Sequence, residues 1–520
     1  MPIASTIKPN FYKDSVALMR VSQQILALPG VTRASLVMGT AANKQMLARN
    51  GLLAAELEKA QPSDLMIAVE GDSADAIDAA LQQVAKLLAG SAPNAATGAA
   101  SESPPRSIGM AVSRAAGATL AQISVPGPYA AAEALKALRS GLHVFLFSDN
   151  VPIEQERAVK QIAAKKGLLV MGPDCGTVIL RGVPLGFANA VRRGRVGLVG
   201  ASGTGLQEVT CQIHALGEGV SNAIGTGGRD LYEEVGGITM QQGLALLAGD
   251  PDTQVVVVVS KPPAKAVAAR VLEVARKLGK PVVVLFLGAD AGALERSGNI
   301  FPVTTLEDAA HASVGLLRSG QPAAGAATTA PREALPDTGF ADGQRYLRGL
   351  YSGGTFCTEA QLIWRAAGIK AWSNVPVDKA LQLGELAPSR EHSAVDLGAG
   401  EFTVGRPHPM IDPAMRIKRI LAEARDPAAA VILLDVVLGY GVNADPAGAL
   451  VPAIREAQAL AAKAGRRLAF VGFVCGTDQD PQGFTEQRAR LRDAGVSLAR
   501  SSSAAALLAA ALVERRPVKV

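Results

Sequence analysis

Cysteine is scarce in this chain, with four in 520 residues, at positions 175, 211, 357 and 475. No two of them form a CxxC pair. A zinc ribbon and a disulfide-stapled scaffold are therefore excluded, and reduced thiols in a cytoplasmic protein are the expectation. Histidine is nearly as scarce, at 143, 214, 311, 392 and 408, without shared ligand spacing. No metal site is expected. Aromatic residues make up 4% of the chain. No basic run is interleaved with them, so the footprint of a nucleic-acid binder is missing. The longest aliphatic run, VVVVV at 255–259, is far below the roughly 20 apolar residues that span a bilayer. The opening MPIASTIKPNFYKDS has no apolar core of the signal-peptide kind. A cytoplasmic location without membrane or nucleic-acid partners follows as the expectation.

Charge of either sign is also in small excess. The formal net charge is +6, with Lys and Arg mixed among Asp and Glu, which fits a mild attraction for anionic substrates. Small residues are abundant instead: 54 glycines and many alanines within a chain that is 48% hydrophobic. Such residues permit close helix–sheet packing in α/β layers. The length accommodates about three or four domains. Two stretches, 91–106 and 320–337, are rich in Ala, Ser, Pro, Gly and Thr without apolar periodicity and read as linkers.

The pieces between the linkers alternate strand and helix signals. Residues 1–90 form a small α/β unit, with strands at 31–39 and 64–71 and helices at 14–28, capped by Asp14, and at 73–89. Residues 107–192 read as strand–helix–strand–helix–strand, a Rossmann-like piece with strands at 118–127, 142–150 and 168–177. A second alternation fills 193–319, and 338–520 repeats it. VVVVVSKPP (255–263) answers to VILLDVVLG (431–439), KPVVVLFLG (280–288) to RLAFVGFVCG (467–476), and 297–317 to 493–513. Two copies of one flavodoxin-like domain account for the ordered correspondence. The expected fold class is thus α/β, with several doubly wound parallel sheets and a small N-terminal α/β domain.

One turn is carried twice. VGLVGASGTGLQEV (196–209) and LRGLYSGGTFCTEA (347–360) each read as an apolar strand, a Ser/Gly/Thr turn and a helix. That geometry aims backbone N–H groups and a helix N-terminus at one spot, which suits an anion. Ser202, Gly203, Thr204 and Gly205, with Ser352, Gly353, Gly354 and Thr355, are the candidate phosphate contacts. A plain N-cap is the alternative for either copy alone. Neither is a Walker A loop, because the Lys-Ser/Thr ending is missing. GPDCGT (172–177) stands at a strand's carboxyl end, which makes Asp174 and Cys175 candidates for substrate contact or a turn with a buried thiol. In GTGGRD (225–230), Arg229 can clamp a carboxylate or phosphate or form a surface ion pair, and Asp230 adjoins it. Lys261 follows the longest apolar strand and is a candidate charge for a transition state. GRPHPMIDP (405–413) gathers Arg406, His408 and Asp412 in a site or a rigid loop.

These motifs, with LLDVVLGYG (433–441) and MGTAANKQML (38–47), closely resemble the FdrA proteins over nearly the whole chain. Residues 118–318 are also similar to the alpha subunit of succinyl-CoA synthetase, and 347–515 to the C-terminal domain of its beta subunit. The resemblance places GASGTG and YSGGT at the synthetase's two phosphate-facing helices. It also brings departures. The synthetase's phosphate-carrying histidine lies in a GHAGA loop, and the matching LGADAGALERSG (287–298) has no histidine. Ser260-Lys261 replaces a supporting glutamate, and no nucleotide-binding ATP-grasp module is present. FdrA proteins are often labelled acyl-CoA synthetases. The resemblance implies a subunit of oxamate carbamoyltransferase, which cleaves oxalurate with phosphate to oxamate and carbamoyl phosphate in allantoin and purine degradation. It implies two partner subunits, a downstream carbamate kinase and an oligomer. Phosphate and carbamoyl phosphate are then substrates, no cofactor is firmly implied, and CoA stays an alternative. Arg229, Lys261 and His408 are the expected catalytic residues, with Asp174, Cys175, Asp230 and Arg406 binding substrate.

Overall fold

The computed structural model describes all residues except 1, 12, 14, 27, 90–104, 116, 290–294, 324–338, 385, 404–406 and 516–520. The expected N-cap Asp14, most of both linkers and the candidate Arg406 lie outside the described residues. Contacts divide the chain into an N-terminal body, residues 1–105 with 400–408, and a larger body containing the rest.

In the N-terminal body the elements are β1 (Ile3–Lys8), α1 (Ser15–Leu26), β2 (Val31–Met38), α2 (Ala41–Arg49), β3 (Leu65–Gly71) and α3 (Ala74–Ala89). The antiparallel order β1-β3-β2 puts β3 in the centre, which is why every residue of LMIAVEG is buried. Leu18, Ile25, Ile77 and Val84 of the helices close over Leu36, Ile67 and Val69. The first strand was not legible in the sequence, because IASTIK mixes three polar residues into six at an edge.

The larger body opens with α4 (Ile108–Arg114), β4 (Leu120–Ile123), α5 (Gly127–Arg139), β5 (His143–Leu146), α6 (Ile153–Lys165) and β6 (Val170–Met171). Its parallel sheet runs β4-β5-β6 without reversal, so this piece is wound in one direction rather than doubly. The hairpin β7 (Thr177–Leu180) and β8 (Val183–Gly186) pairs with the next sheet through β10 (Val220–Gly225). The sheet boundary therefore falls before Thr177, earlier than the composition placed it. That next sheet continues with β9 (Arg193–Gly200), α7 (Gly203–Ala215), α8 (Ile238–Gly249), β11 (Val255–Ser260), α9 (Lys265–Arg276), β12 (Val282–Phe286), β13 (Ile300–Pro302) and α10 (Leu306–Ser319).

The second copy comprises β14 (Tyr346–Tyr351), α11 (Gly354–Ala366), β15 (Ala371–Ser373), β16 (His392–Asp396), α12 (Gly400–Thr403, grouped with the N-terminal body), α13 (Ala414–Arg425), β17 (Ala429–Val437), α14 (Pro446–Lys463), β18 (Ala469–Cys475), α15 (Phe484–Asp493), β19 (Val496–Leu498) and α16 (Ser502–Glu514). The strand orders β13-β12-β11-β9-β10-β7-β8 and β15-β16-β14-β17-β18-β19 share the run β13-β12-β11-β9 against β19-β18-β17-β14, while β16 intervenes between β14 and β15 and the β7–β8 hairpin has no counterpart. VVVVVS and AAVILLDVV are buried along their whole length, as central parallel strands require.

The two copies share one core. Leu206, Val209 and Ile213 of α7 and the alanines of α10 pack with Phe356 and Trp364 of α11 and the alanines of α16. Alanine lets these helices approach closely, and the Trp364 indole donates to the Ala506 carbonyl at 3.0 Å. The seam is closed by exchanged caps. Glu208 of α7 accepts the Ser502 N–H at the start of α16, at 3.1 Å, and Glu359 of α11 accepts the Leu306 N–H at the start of α10, at 2.8 Å. Glu307 of α10 accepts from Ser501 and Ser503, at 2.5 and 3.1 Å, and from Arg500.

Desolvation pushes the Glu208 carboxyl up to about 7 and that of Glu359 to about 8. A carboxyl raised in the folded state binds more protons there than when unfolded. Its stabilising contribution is complete below the unfolded value and is lost as pH climbs through the folded one. The thermal midpoint is therefore expected to fall as pH rises from about 4.5 to about 8. Glu359→Gln should flatten that slope, and calorimetry across the range checks it.

Candidate functional site

Both copies reverse their winding beside the duplicated turn. In the first, β9 connects to one side and β11 to the other, so a crevice opens at their carboxyl ends, between Ala201–Gly205 and Lys261. In the second the reversal lies between β14 and β17, with Ser352–Thr355 at its mouth.

Ser202 caps α7 by accepting the Gly205 N–H at 3.0 Å. Its hydroxyl lies 2.6 Å from that of Thr355, so the two turns meet at one place. The approach is tight. A Cβ on Gly353, the N-cap of α11, would lie 2.8 Å from the Thr204 methyl group. A Cβ on Gly354 would lie 2.5 Å from Asp396 Oδ2 and 3.4 Å from Lys261 Nζ. Neither α7 nor α11 carries an acidic residue in its first turn. Thr177 faces the same spot: its Oγ1 would be 3.5 Å from a Cβ on Gly203, the first residue of α7. Thr177 is 1% exposed, and its hydroxyl has no hydrogen-bond partner. A buried, unpaired hydroxyl at a helix N-terminus is the signature of a place for a polar ligand.

Ser352 serves differently from Ser202. Its hydroxyl donates to Asp435 Oδ2 at 2.6 Å, and its N–H also reaches that carboxylate. Asp435 in turn accepts from Arg416 at 2.9 Å, both fully enclosed. Ser352 therefore anchors the turn to β17 and is displaced from the helix end by one residue.

Lys261 is exposed at the rim. Arg229 is one-third exposed and is held by the Val151 carbonyl at 2.6 Å and by Glu156 at 2.8 Å. Asp230 corrects the sequence reading. It is completely buried, with its oxygens taken by Lys160 at 2.8 Å and by the Thr239 and Met240 N–H groups that begin α8. Lys160, also buried, adds Glu156 and the Thr226 carbonyl. This network fixes the GTGGRD loop to α6, and Asp230 has no oxygen left for a substrate.

Cys175 is a second correction. It is 2% exposed, burial pushes its thiol up to about 12, and its S–H donates to the Thr177 carbonyl at 3.7 Å. It packs and does not present a thiolate. Asp174, next to it, is exposed, in a left-handed conformation at φ +52°. Desolvation by the crowded turn, and then Asp149, push its carboxyl up to about 6 against Arg229 and Lys261. The loop packs closely here, since a Cβ on Gly227 would lie 2.2 Å from the Pro173 carbonyl oxygen. His408 is grouped by its contacts with the N-terminal body. Three other histidines hold backbone, as their spacing implied: His143, His214 and His392 accept the N–H groups of Leu169, Arg192 and Leu347.

Sequence reasoning missed Thr177, Asp396 and the Glu156–Lys160 pair. Asp396 ends a strand, a recognisable signal at a switch-point sheet. Lys160 had none, because an i,i+4 Glu–Lys pair reads as a solvated helix face.

Comparison with known proteins adds three matched families: "AllF, heavy metal-associated domain" at residues 1–105, "CoA binding domain" at 191–288 and "CoA-ligase" at 350–512. A protein of Escherichia coli (strain K12), described as uncharacterized protein YahF, is 44% identical over 98% of both chains. The alpha subunit of an ADP-forming succinate–CoA ligase of Aquifex aeolicus is 28% identical over 35% of this chain and 61% of its own. A solved acetyl-coenzyme A synthetase of Ca. Korarchaeum cryptofilum aligns with 76% of this chain and 83% of its own, at 16% identity and a TM-score of 0.31. The first family's description implies a heavy metal. Residues 1–105 contain neither cysteine nor histidine, so the thiolate and imidazole donors that commonly hold such an ion are missing and the residues do not fit it. Among the described residues no cluster of metal-ligating side chains occurs.

Asp230→Ala would leave Lys160 buried against one carboxylate fewer. It is expected to destabilise the fold by about 3–5 kcal/mol, as loss of one partner of a buried pair does. Denaturant unfolding checks this, and a change within 1 kcal/mol would return Asp230 to the list of substrate contacts.

Proposed function

Because the chain belongs to the FdrA family, we propose that it is a subunit of a phosphate-dependent carbamoyltransferase. In this reading it cleaves oxalurate to oxamate and carbamoyl phosphate in purine and allantoin breakdown. The observation that carries the reading is the N-terminus of α7 with the unpaired Thr177 hydroxyl beside it and Lys261 at the rim. An anion placed there gains about 0.3–1 kcal/mol from the helix dipole when exposed and up to about 2 kcal/mol when partly buried. Inorganic phosphate matches such a place in charge and in acceptor count.

The chemistry requires little more. A phosphate oxygen attacks the carbamoyl carbon, and the oxyanion that forms draws on the N–H groups of the turn and on the Lys261 ammonium. Collapse releases the amide nitrogen of oxamate and leaves carbamoyl phosphate. No phosphohistidine is needed, in keeping with the histidine-free 287–298 segment. Two partner subunits complete the enzyme in this reading, a carbamate kinase follows it, and the assembly is cytoplasmic.

A second reading, an ADP-forming acyl-CoA ligase subunit, is favoured by the names of the ligase relatives and by the CoA-ligase match. It requires CoA and a nucleotide-binding partner.

The chain reconstituted with its two partner subunits is expected to release oxamate from oxalurate only when phosphate is supplied, with carbamoyl phosphate formed in equal amount. Release without phosphate, or none at all, rules the reading out. Product that depends on CoA and ATP instead establishes the ligase.

A further inference from the structure

The carbamoyl transfer leaves one step without a group to perform it. Phosphate enters as its monohydrogen form and must lose a proton. The departing nitrogen must gain one, because an amide anion is a poor leaving group in water. Lys261 and Arg229 do not serve. Arg229 is already held by Val151 and Glu156, and Lys261 is placed to stabilise the oxyanion.

Among the described carboxylates around the cluster, most are committed. Glu156 holds Lys160 and Arg229, Asp230 caps α8, Asp435 holds Ser352 and Arg416, and Asp396 accepts the Gly398 N–H. Asp174 is placed differently. Its N–H is tied to the Ser148 carbonyl at 2.9 Å, which fixes the backbone, while its carboxylate projects past the GTGG loop to within 3.8 Å of where a Cβ on Gly228 would stand. Three residues on, the unpaired Thr177 hydroxyl faces the first residue of α7. Lys261, which reaches toward Gly354 at the start of α11, also acts electrostatically on Asp174. The carboxylate, the ammonium and the two helix ends thus border one space.

We propose that Asp174 is the proton shuttle of this site, taking the proton from the attacking phosphate and giving it to the departing nitrogen. The proposal rests on the carbamoyltransferase reading above. In the forward step the phosphate O–C bond forms and the C–N bond breaks. The phosphate proton passes to the Asp174 carboxylate and from there to nitrogen, so the carboxylate is regenerated and no redox partner is involved. The groups that act on Asp174 are Asp149 from the loop after β5, Glu156 from α6, Arg229 from the loop after β10 and Lys261 from the loop after β11. The two acids favour its protonated form and the two bases its ionised form. Desolvation tips the balance toward a carboxyl that exchanges protons near pH 6, within reach of both half-steps.

The test uses Asp174→Asn in the full chain, since asparagine is well tolerated in the left-handed region and keeps the turn. Sulfate is the first probe, because it does not titrate between pH 5 and 7.5. Calorimetry should show wild-type affinity for sulfate falling several-fold over that range as Asp174 ionises. Asp174→Asn should bind sulfate at least as tightly, with no pH dependence. In the reconstituted reaction, kcat should fall by about 100-fold or more, the usual reach of general acid–base catalysis, while KM for phosphate stays level or drops. A structural defect would weaken binding as well. An unchanged pH dependence or an unchanged kcat in the variant overturns the shuttle while leaving the anion site standing. Failure of the wild-type chain to bind sulfate and phosphate removes the anion site, and the shuttle with it.

Discussion

The exchange of caps between the two repeated domains is the constraint on which the rest of the larger body depends. Glu208 and Glu359 occupy equivalent positions on equivalent helices, and each caps the last helix of the other domain. A helix start left bare inside a protein has unsatisfied N–H groups, and a buried carboxylate without donors is costly as well. Thr305 and Ser501 cap these helices from within their own domains, and the glutamate of the other domain takes a further N–H at each start. The alanine-rich faces of α10 and α16 bring the helices close enough for the exchange, and Trp364 locks them with its bond to Ala506.

This seam divides its four helix starts into two kinds. Those of α10 and α16 are covered by Glu208, Glu307 and Glu359. Those of α7 and α11 have no acid in their first turns and meet through the Ser202 and Thr355 hydroxyls. Two positive ends brought together are unfavourable without a counter-charge, which a bound anion provides. The buried Lys160 network plays the supporting part on the other side. It holds the GTGGRD loop against α6, so Arg229 and Gly228 border Asp174.

Much of the architecture was legible because it repeats. The pairs β11 and β17, β12 and β18, and α10 and α16 were visible as matching runs, since central parallel strands are apolar throughout and amphipathic helices keep their period. Where a signal was weak, the reading slipped. The edge strand β1 mixes polar residues into its run, and residues 177–186, which form the β7–β8 hairpin, fall inside the 107–192 piece of the sequence because sequence order does not reveal which sheet a short hairpin joins. At the candidate site, Ser202, Thr355, Lys261 and Arg229 are singled out by residue type and turn chemistry. Asp230 and Cys175 have the right types beside the right motifs, and only burial separates them from Asp174.

The sequence by itself determined the α/β alternation, the duplication and the two Ser/Gly/Thr turns, because these depend on local periodicity and on glycine and hydroxyl residues at fixed offsets. It also determined what is missing: the histidine of the 287–298 segment and any cysteine or histidine in residues 1–105. Only the tertiary structure decided that Ser202 meets Thr355 across 153 positions of chain, that Thr177 faces α7 unpaired, and that Ser352 turns away toward Asp435. These are contacts between distant segments, fixed by helix packing across the seam, and local sequence patterns carry no record of which buried group finds which partner.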